Sequence, residues 1–550
     1  MSDVFSIASQ FVDEVAAHRP DIATQIGVHG YDHLWPDTSP DGSAAYAEVI
    51  GRYRKLIAPY LDEADSWQRH GARVLDGFLM TKQSEYDEGD RYFELRHTAG
   101  VQDDVRDVFD LMDTSSEEAW ANIATRLETA GQPLSGWRAT LEEGRARGFV
   151  VSRRQAESAL EQFRHLSGPD SKWLGLARDA GEEAPALAQR VTQAVDEGRR
   201  AASEFADYIE REYLPHASDA DGVGRERYLN SADRFLGMRI DPMETYEWGW
   251  SEVRRLHQAM TEVAAELDPS KSLVEVMEML ESDASYASSS QAEFAEFIQE
   301  RQDQALRHLD GEHFAVPDQI KQVTVNLVPP GAALGAYYLQ PSEDFSRPGG
   351  IWYSFGERQQ IPLWGEVSTA YHEGFPGHHL QVGTSMAQQE NLTRAHRLLI
   401  WYSGYGEGWA LYTERLMDEL GYFEKPEYHL GHYSAQQLRA CRVVIDIGCH
   451  LGLKLPNDSL VNPGHSWDYE TAVEILHHVA GQPRDVSESE AKRYLGWPGQ
   501  AIAYKVGERV ILGLRDEAKR KQGSAFDLKE FHRSLLEGGE VRLDYLTSQT

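Results

Sequence analysis

From the N-terminus to about residue 310, apolar positions recur every three to four residues, the spacing of one amphipathic helix after another. In the stretch 109–137, Trp120, Ile123 and Leu127 share a face, and Ser115 with Glu118 has capping-box spacing. Asp241, Pro242 and Glu244 supply an N-cap acid, a proline at the first helical position and an acid in the first turn, ahead of Tyr246, Trp250, Val253 and Met260. A further helix is predicted to start near Asp268-Pro269 and run through Leu273, Val276, Met277 and Leu280, and the polar stretch 281–291 reads as a surface loop. Between about 316 and 365 the period changes to two. Val323, Val325 and Leu327 alternate with Thr324 and Asn326 until Val328-Pro329-Pro330-Gly331 breaks the run. Ala336 to Leu339 and Gly350 to Phe355 follow, so three short strands are predicted. After Pro362 the helical period returns and lasts to the C-terminus. No segment repeats at a period of about 20–50 residues, which argues against a solenoid. The pattern predicts a mostly α chain with a small β-sheet lining a cleft. Residues 1–315 form a helical part covering that cleft and 316–550 carry its chemistry, as two subdomains of one continuous fold.

Composition narrows the classes. Hydrophobic types make up 41% of 550 residues and charged types 26%, which excludes collagenous and wholly disordered chains. Asp and Glu number 89 against 54 Lys and Arg, a net charge of −35. Such a surface repels phosphate backbones and anionic lipid heads, so neither nucleic acid nor membrane is expected as a partner. Cys441 and Cys449 sit at i and i+8 of one predicted helix, roughly 12 Å apart along its axis, too far for a bridge. Acids at Asp3, Asp13 and Glu14 interrupt the start of the chain before any signal-length apolar core, and no membrane-spanning apolar window occurs. A soluble cytoplasmic protein is expected.

The chemistry is densest at 366–381. An amphipathic helix delivers His372 and Glu373, and His378 and His379 follow within seven residues. A zinc-protease helix places its two histidines at i and i+4, so that both imidazoles reach one metal. Here the i+4 position is Pro376, and Pro376-Gly377 reads as an insertion into that pattern. A distortion at this pair returns His378 to the metal-facing side; His379, at i+7 of an undistorted helix, is the rival ligand. Three histidines and a glutamate within eight residues are costly to bury without a cation. The next candidate helix supplies Glu407, flanked by Gly406 and Gly408, and Glu414 seven residues on, on the same face. Glu407 is expected as the third ligand, with Glu414 behind it.

The block from His372 through Gln381, followed by Glu407-Gly408-Trp409-Ala410-Leu411-Tyr412-Thr413-Glu414, resembles the bacterial family labelled domain of unknown function eight-eight-five. The resemblance extends over most of the chain, through Pro20 to Thr24, Arg439 to Arg442 and Pro498 to Ala501. That family is regarded as similar to the gluzincin metallopeptidases. The resemblance therefore implies a large helical zincin-like fold with a deep cleft, zinc held by two histidines and a glutamate, and hydrolysis of short peptides.

Roles follow from the chemistry of such a centre. Glu373, beside the first ligand, is expected to act as general base on a water acidified by one divalent cation, zinc ahead of cobalt, manganese or iron. Tyr504, on a helical face with Gln500, is the expected donor to the oxyanion. In the helix 439–450, Arg442, Asp446 and His450 form a polar stripe among Val443, Val444, Ile445 and Ile447, read first as a structural ion-pair network. Its functional reading has Arg439 or Arg442 gripping a substrate carboxylate, as in a carboxypeptidase, and Asp446 or His450 orienting a ligand histidine. The strand at 350–355, with Tyr337 and Tyr338 nearby, could add an extended peptide as a strand. A metal-dependent amide hydrolase or tailoring enzyme acting on a small natural product is the alternative, a non-catalytic metal-binding scaffold the second alternative, and a homodimer is left open.

Overall fold

The computed structural model describes residues 3–328 and 335–549; the predicted break at Pro329-Pro330-Gly331 lies outside the described residues. Two compact units divide the chain: Met1–Asp221 with Thr393–Leu399, and Gly222–Leu392 with Ile400–Thr550.

The first unit is built of helices whose apolar stripes meet in a common core. On the helix Glu117–Glu128, Trp120, Ile123 and Leu127 are buried together with Ala202 and Phe205 of the helix Ala188–Tyr208. Its N-cap is Ser116, not Ser115. The Ser115 amide and hydroxyl both bind the Asp113 carboxylate, which leaves Ser116 Oγ to accept from the Ala119 amide at 3.1 Å. Arg126, buried in the same helix, donates to the carbonyls of Pro20, Tyr31 and Leu34 and ties the first segments of the chain to this core.

The second unit is mostly helical with two small sheets. Asp241 caps the helix Pro242–Leu267 as the sequence predicts, accepting from the amides of Met243 and Glu244. The following helix starts later than expected, at Leu273. The Asp268 carboxylate is spent on the turn, bound to Ser270 and Lys271, and Ser272 with Glu275 forms the capping box. Part of the predicted loop at 281–291 is ordered as Ala287–Ser288, which pairs antiparallel with Ile361–Pro362. The three predicted strands are present. Gly350–Ser354 is central, parallel to Thr324–Leu327 and antiparallel to Gly335–Leu339. Phe294 packs edge-on against Tyr353 and Phe355 of this region.

The long helix Pro426–Leu451 forms the spine of this unit, and Pro242–Leu267 lies along it. A Cβ on Gly249 would stand 2.8 Å from a Val443 methyl carbon, so the two helices touch almost backbone to side chain. That packing joins residues after 221 to the C-terminal region, and the boundary therefore falls after Asp221 rather than near 315. Cys441 and Cys449 lie on the same long helix as buried free thiols. Among the described residues no helix is long and apolar enough to cross a membrane.

Candidate metal centre

The histidine segment is two helices rather than one distorted helix. Glu366–Glu373 ends at Glu373, and His378–Ala387 begins at His378, joined by a turn with a cis Phe375-Pro376 bond. The turn folds tightly onto the first helix: a Cβ on Gly377 would lie 2.0 Å from the His372 carbonyl oxygen, so only glycine fits. Gln302 holds it from outside, donating to Ala370 O at 2.8 Å and accepting from the Phe375 amide at 2.7 Å. Trp409 Nε1 donates to Pro376 O at 3.0 Å.

This turn brings His378, and not His379, to His372. The two rings meet edge to face with centroids 4.9 Å apart. Glu407 completes the group: its Oε2 is 3.2 Å from His372 Nε2 and 3.5 Å from His378 Nε2. Ligand atoms around a tetrahedral zinc are separated by roughly 3.3 Å, given bond lengths of about 2.0–2.1 Å. The side chains of His372, His378 and Glu407 are only 5%, 10% and 15% exposed, unlike the loose acidic clusters of a protein surface. On the other side of the ring, His372 Nδ1 lies 2.7 Å from Glu414 Oε1. With its Nδ1–H donated to Glu414, a neutral His372 presents a lone pair at Nε2 to the Glu407 carboxylate. Two facing acceptors need a proton or a cation between them. Burial opposes charge on the ring, but Glu407 and Glu414 outweigh it and raise His372 to about 10. Burial works against Glu407 too, yet His372 and His378 hold its carboxyl well below the usual range. The donor set, two imidazoles and one carboxylate with an orienting acid, could hold a divalent metal ion.

Over residues 20–549 the chain matches the family model described as a bacterial protein of unknown function (DUF885). The chain belongs to this family. Two solved structures share its fold. One is a protein from Colwellia psychrerythraea described as a "putative lipoprotein", with a TM-score of 0.87 and 24% identity over 99% of this chain and 97% of that one. The other, a "putative lipoprotein of unknown function" from Shewanella oneidensis, has a TM-score of 0.74 and 17% identity over 100% of both chains. No curated protein matches the chain.

The remaining predicted site residues of this DUF885 member fall into two groups. Glu373 and Tyr504 stay with the centre. The Glu373 carboxyl makes no hydrogen bond among the described residues, and burial raises its pKa against the pull of His372 and His378. Tyr504 stacks near the His372 ring, centroids 6.4 Å apart, with its hydroxyl free of protein partners among the described residues. It sits one residue into the helix Ala503–Gln522; Gln500 precedes that helix and accepts from Arg493, so the expected shared face does not form. The close approach of this helix to Ser403–Glu419 needs its glycines: a Cβ on Gly507 would lie 1.9 Å from Gly404 O.

The other group is structural. His379 is buried beside the sheet, with Nε2 2.8 Å from Ile320 O and Nδ1 3.1 Å from the Tyr338 hydroxyl; burial holds its pKa down at about 4. Arg442 binds Tyr494 and Glu490 at 2.9 and 2.8 Å and lies over the Tyr504 ring. Asp446 accepts from the Tyr228 hydroxyl and the Gly499 amide, and His450 faces Tyr494 O. Neither reaches a ligand histidine. Arg439 has no ion-pair partner among the described residues and donates only to Ala435 O of its own helix, at 3.1 Å.

Sequence reading missed several supporting groups. Ser368 donates to Glu414 Oε2 at 2.6 Å and lies 3.2 Å from His432 Nδ1; its position four residues before His372 is the signal, since i and i+4 share a face. Glu540 accepts from the Tyr402 amide at 2.9 Å and from Gln381, joining the His378 helix to the head of the Glu407 helix. Trp401 packs beside His378 yet is 45% exposed. Gln302 and Glu540 come from distant segments and carry no local signal.

Proposed function

We propose that this DUF885 protein is a zinc-dependent peptidase that hydrolyses amide bonds of short peptides, with a gluzincin-like helical cleft around its centre. The observation that carries this reading is the convergence of His372, His378 and Glu407, backed by Glu414, beside a glutamate carboxyl and a tyrosine hydroxyl that make no hydrogen bond among the described residues. His372, His378 and Glu407 hold the cation, which when bound supplies Lewis acidity to acidify water and polarise a carbonyl. Glu373 takes the proton of the attacking water and hands it to the leaving amine, a role suited to a carboxyl raised by burial. Tyr504 donates its hydroxyl to the oxygen that gains charge in the tetrahedral state. Glu414 fixes the tautomer and orientation of His372, and Ser368 fixes Glu414. A scaffold that only bound metal would have no use for Glu373.

Metal analysis of the purified protein, followed by a screen of di- to pentapeptides with and without chelator, tests the reading. Stoichiometric zinc with chelator-sensitive cleavage supports it, whereas protein that takes up no divalent metal overturns it. Turnover of small natural-product amides with no peptide cleaved would move the substrate class to that alternative. We also propose a cytoplasmic location; the lipoprotein description of the two similar structures is the rival, and cell fractionation decides between them.

A further inference from the structure

Arg439 is out of keeping with its surroundings. The other cations around the centre each have a carboxylate partner: Arg442 has Glu490, with the Tyr494 hydroxyl, Arg493 has Glu490, with Gln500, and Lys505 has Glu508, with Gln436. Arg439 has no acidic partner within ion-pair distance among the described residues. Its one hydrogen bond runs from Nη1 to Ala435 O of its own helix at 3.1 Å, and its Nε is buried without a partner. Half-burying a guanidinium without an anion is costly, and in a chain with 89 acids the lack of a partner is not for want of carboxylates.

Its position is set by the long helix. His432, whose ring lies beside Glu414 and Ser368, is seven residues earlier on the same face. Arg442, one turn later, lies under Tyr504, which stacks near His372. Arg439 therefore stands between the acid that orients His372 and the tyrosine assigned to the oxyanion. Its charge is felt by the carboxyls of both Glu373 and Glu414.

We propose that Arg439 binds the free C-terminal carboxylate of the substrate, so that the enzyme removes the last residue of short peptides. This rests on the peptidase reading above and names its substrate class. A planar guanidinium with unused N–H groups matches a carboxylate in a two-point grip. Anchoring the terminus there presents the last peptide bond to the centre. Water adds across that bond: its oxygen goes to the carbonyl carbon, the C–N bond breaks, and the proton taken by Glu373 goes to the amine of the released amino acid.

The test compares the tripeptide Ala-Ala-Phe, its C-terminal amide, and the amide of Ala-Ala-Glu, which carries its carboxylate on a side chain. Two readouts are taken: kcat/KM on the zinc-loaded wild type, and calorimetric binding to the zinc-loaded Glu373→Gln protein. The free acid is expected to be preferred over both amides by about 10- to 100-fold in each readout, the worth of a charge-assisted bidentate contact. Arg439→Met in either background should remove that preference, chiefly through KM, and Arg439→Lys should restore part of it. Equal treatment of acid and amide by the wild type overturns the proposal, as does preference for the Ala-Ala-Glu amide or a preference that survives Arg439→Met. If Arg439→Met fails to fold, as judged by circular dichroism, the wild-type comparison and Arg439→Lys still decide. If no peptide is cleaved, the peptidase reading fails by itself, and the binding readout still judges Arg439.

Discussion

Glu414 Oε1 lies 2.7 Å from Nδ1 of His372, while Nε2 of the same ring faces Glu407 at 3.2 Å. One acid thus determines which nitrogen of His372 carries the hydrogen and which is offered to a cation. Removing that charge in Glu414→Gln should weaken zinc binding by about 10- to 100-fold, measured by competition against a chromophoric chelator. Unchanged affinity would show that the Glu414 charge does not set the tautomer of the ring.

His378 and His379 should separate cleanly. His378→Ala is expected to lose zinc on dialysis. His379→Ala should keep zinc and lose stability instead, by about 2–4 kcal/mol, because the buried Ile320 carbonyl and Tyr338 hydroxyl lose their partner and a cavity opens. Metal analysis and denaturant unfolding read the two effects, and the reverse pairing would overturn the ligand assignment.

For Glu373→Gln the expectation is full zinc content with hydrolysis reduced by about 10²–10⁴-fold. A variant that turns over at the wild-type rate would take Glu373 out of the mechanism.

Gly377→Ala tests the turn. The added methyl group would meet the His372 and Tyr371 carbonyl oxygens at 2.0 and 2.4 Å, so the turn must open and carry His378 away from Glu407. Both zinc binding and stability should fall, the latter by about 1–3 kcal/mol as in other overpacked sites. A crystal structure of the variant with the turn unchanged would contradict this.

The Arg442–Glu490 pair gives a pH signature. Burial would raise the Glu490 carboxyl, but Arg442 and Arg493 outweigh it and lower it from 4.5 to about 2. A depressed acid contributes its stability in full above the unfolded value, and that contribution fades as pH falls from about 4.5 toward 2. Glu490→Gln should cost about 3–5 kcal/mol near neutrality, since it leaves Arg442 buried without its charge partner. The gap to wild type should narrow steadily below pH 4.5 in denaturant titrations; a gap that widens there would reverse the assignment.

Much of the helical framework could be read locally. Caps such as Asp241, stripes such as Trp120, Ile123 and Leu127, and the three strands depend on near neighbours and on periods of 3.6 and 2. Boundaries slipped where a side chain had two uses: Ser115 went to Asp113, and Asp268 to its own turn. The unit boundary could not be read at all, because it depends on Pro242–Leu267 lying along Pro426–Leu451, a contact between segments almost 200 residues apart.

The sequence by itself determined which residue types could meet a cation. His372, the histidine pair after Pro376-Gly377, and two acids seven residues apart are fixed by chemistry and helical spacing. Only the tertiary structure decided that His378 faces Glu407 while His379 turns to Ile320 and Tyr338. It also decided that Arg442 is bound to Glu490 while Arg439 has no acidic partner among the described residues. The physical reason is that a ligand or a free charge is defined by what stands opposite it. Those opposing groups (Ile320 O, Glu490, Gln302, Glu540) arrive from parts of the chain that local pattern does not connect.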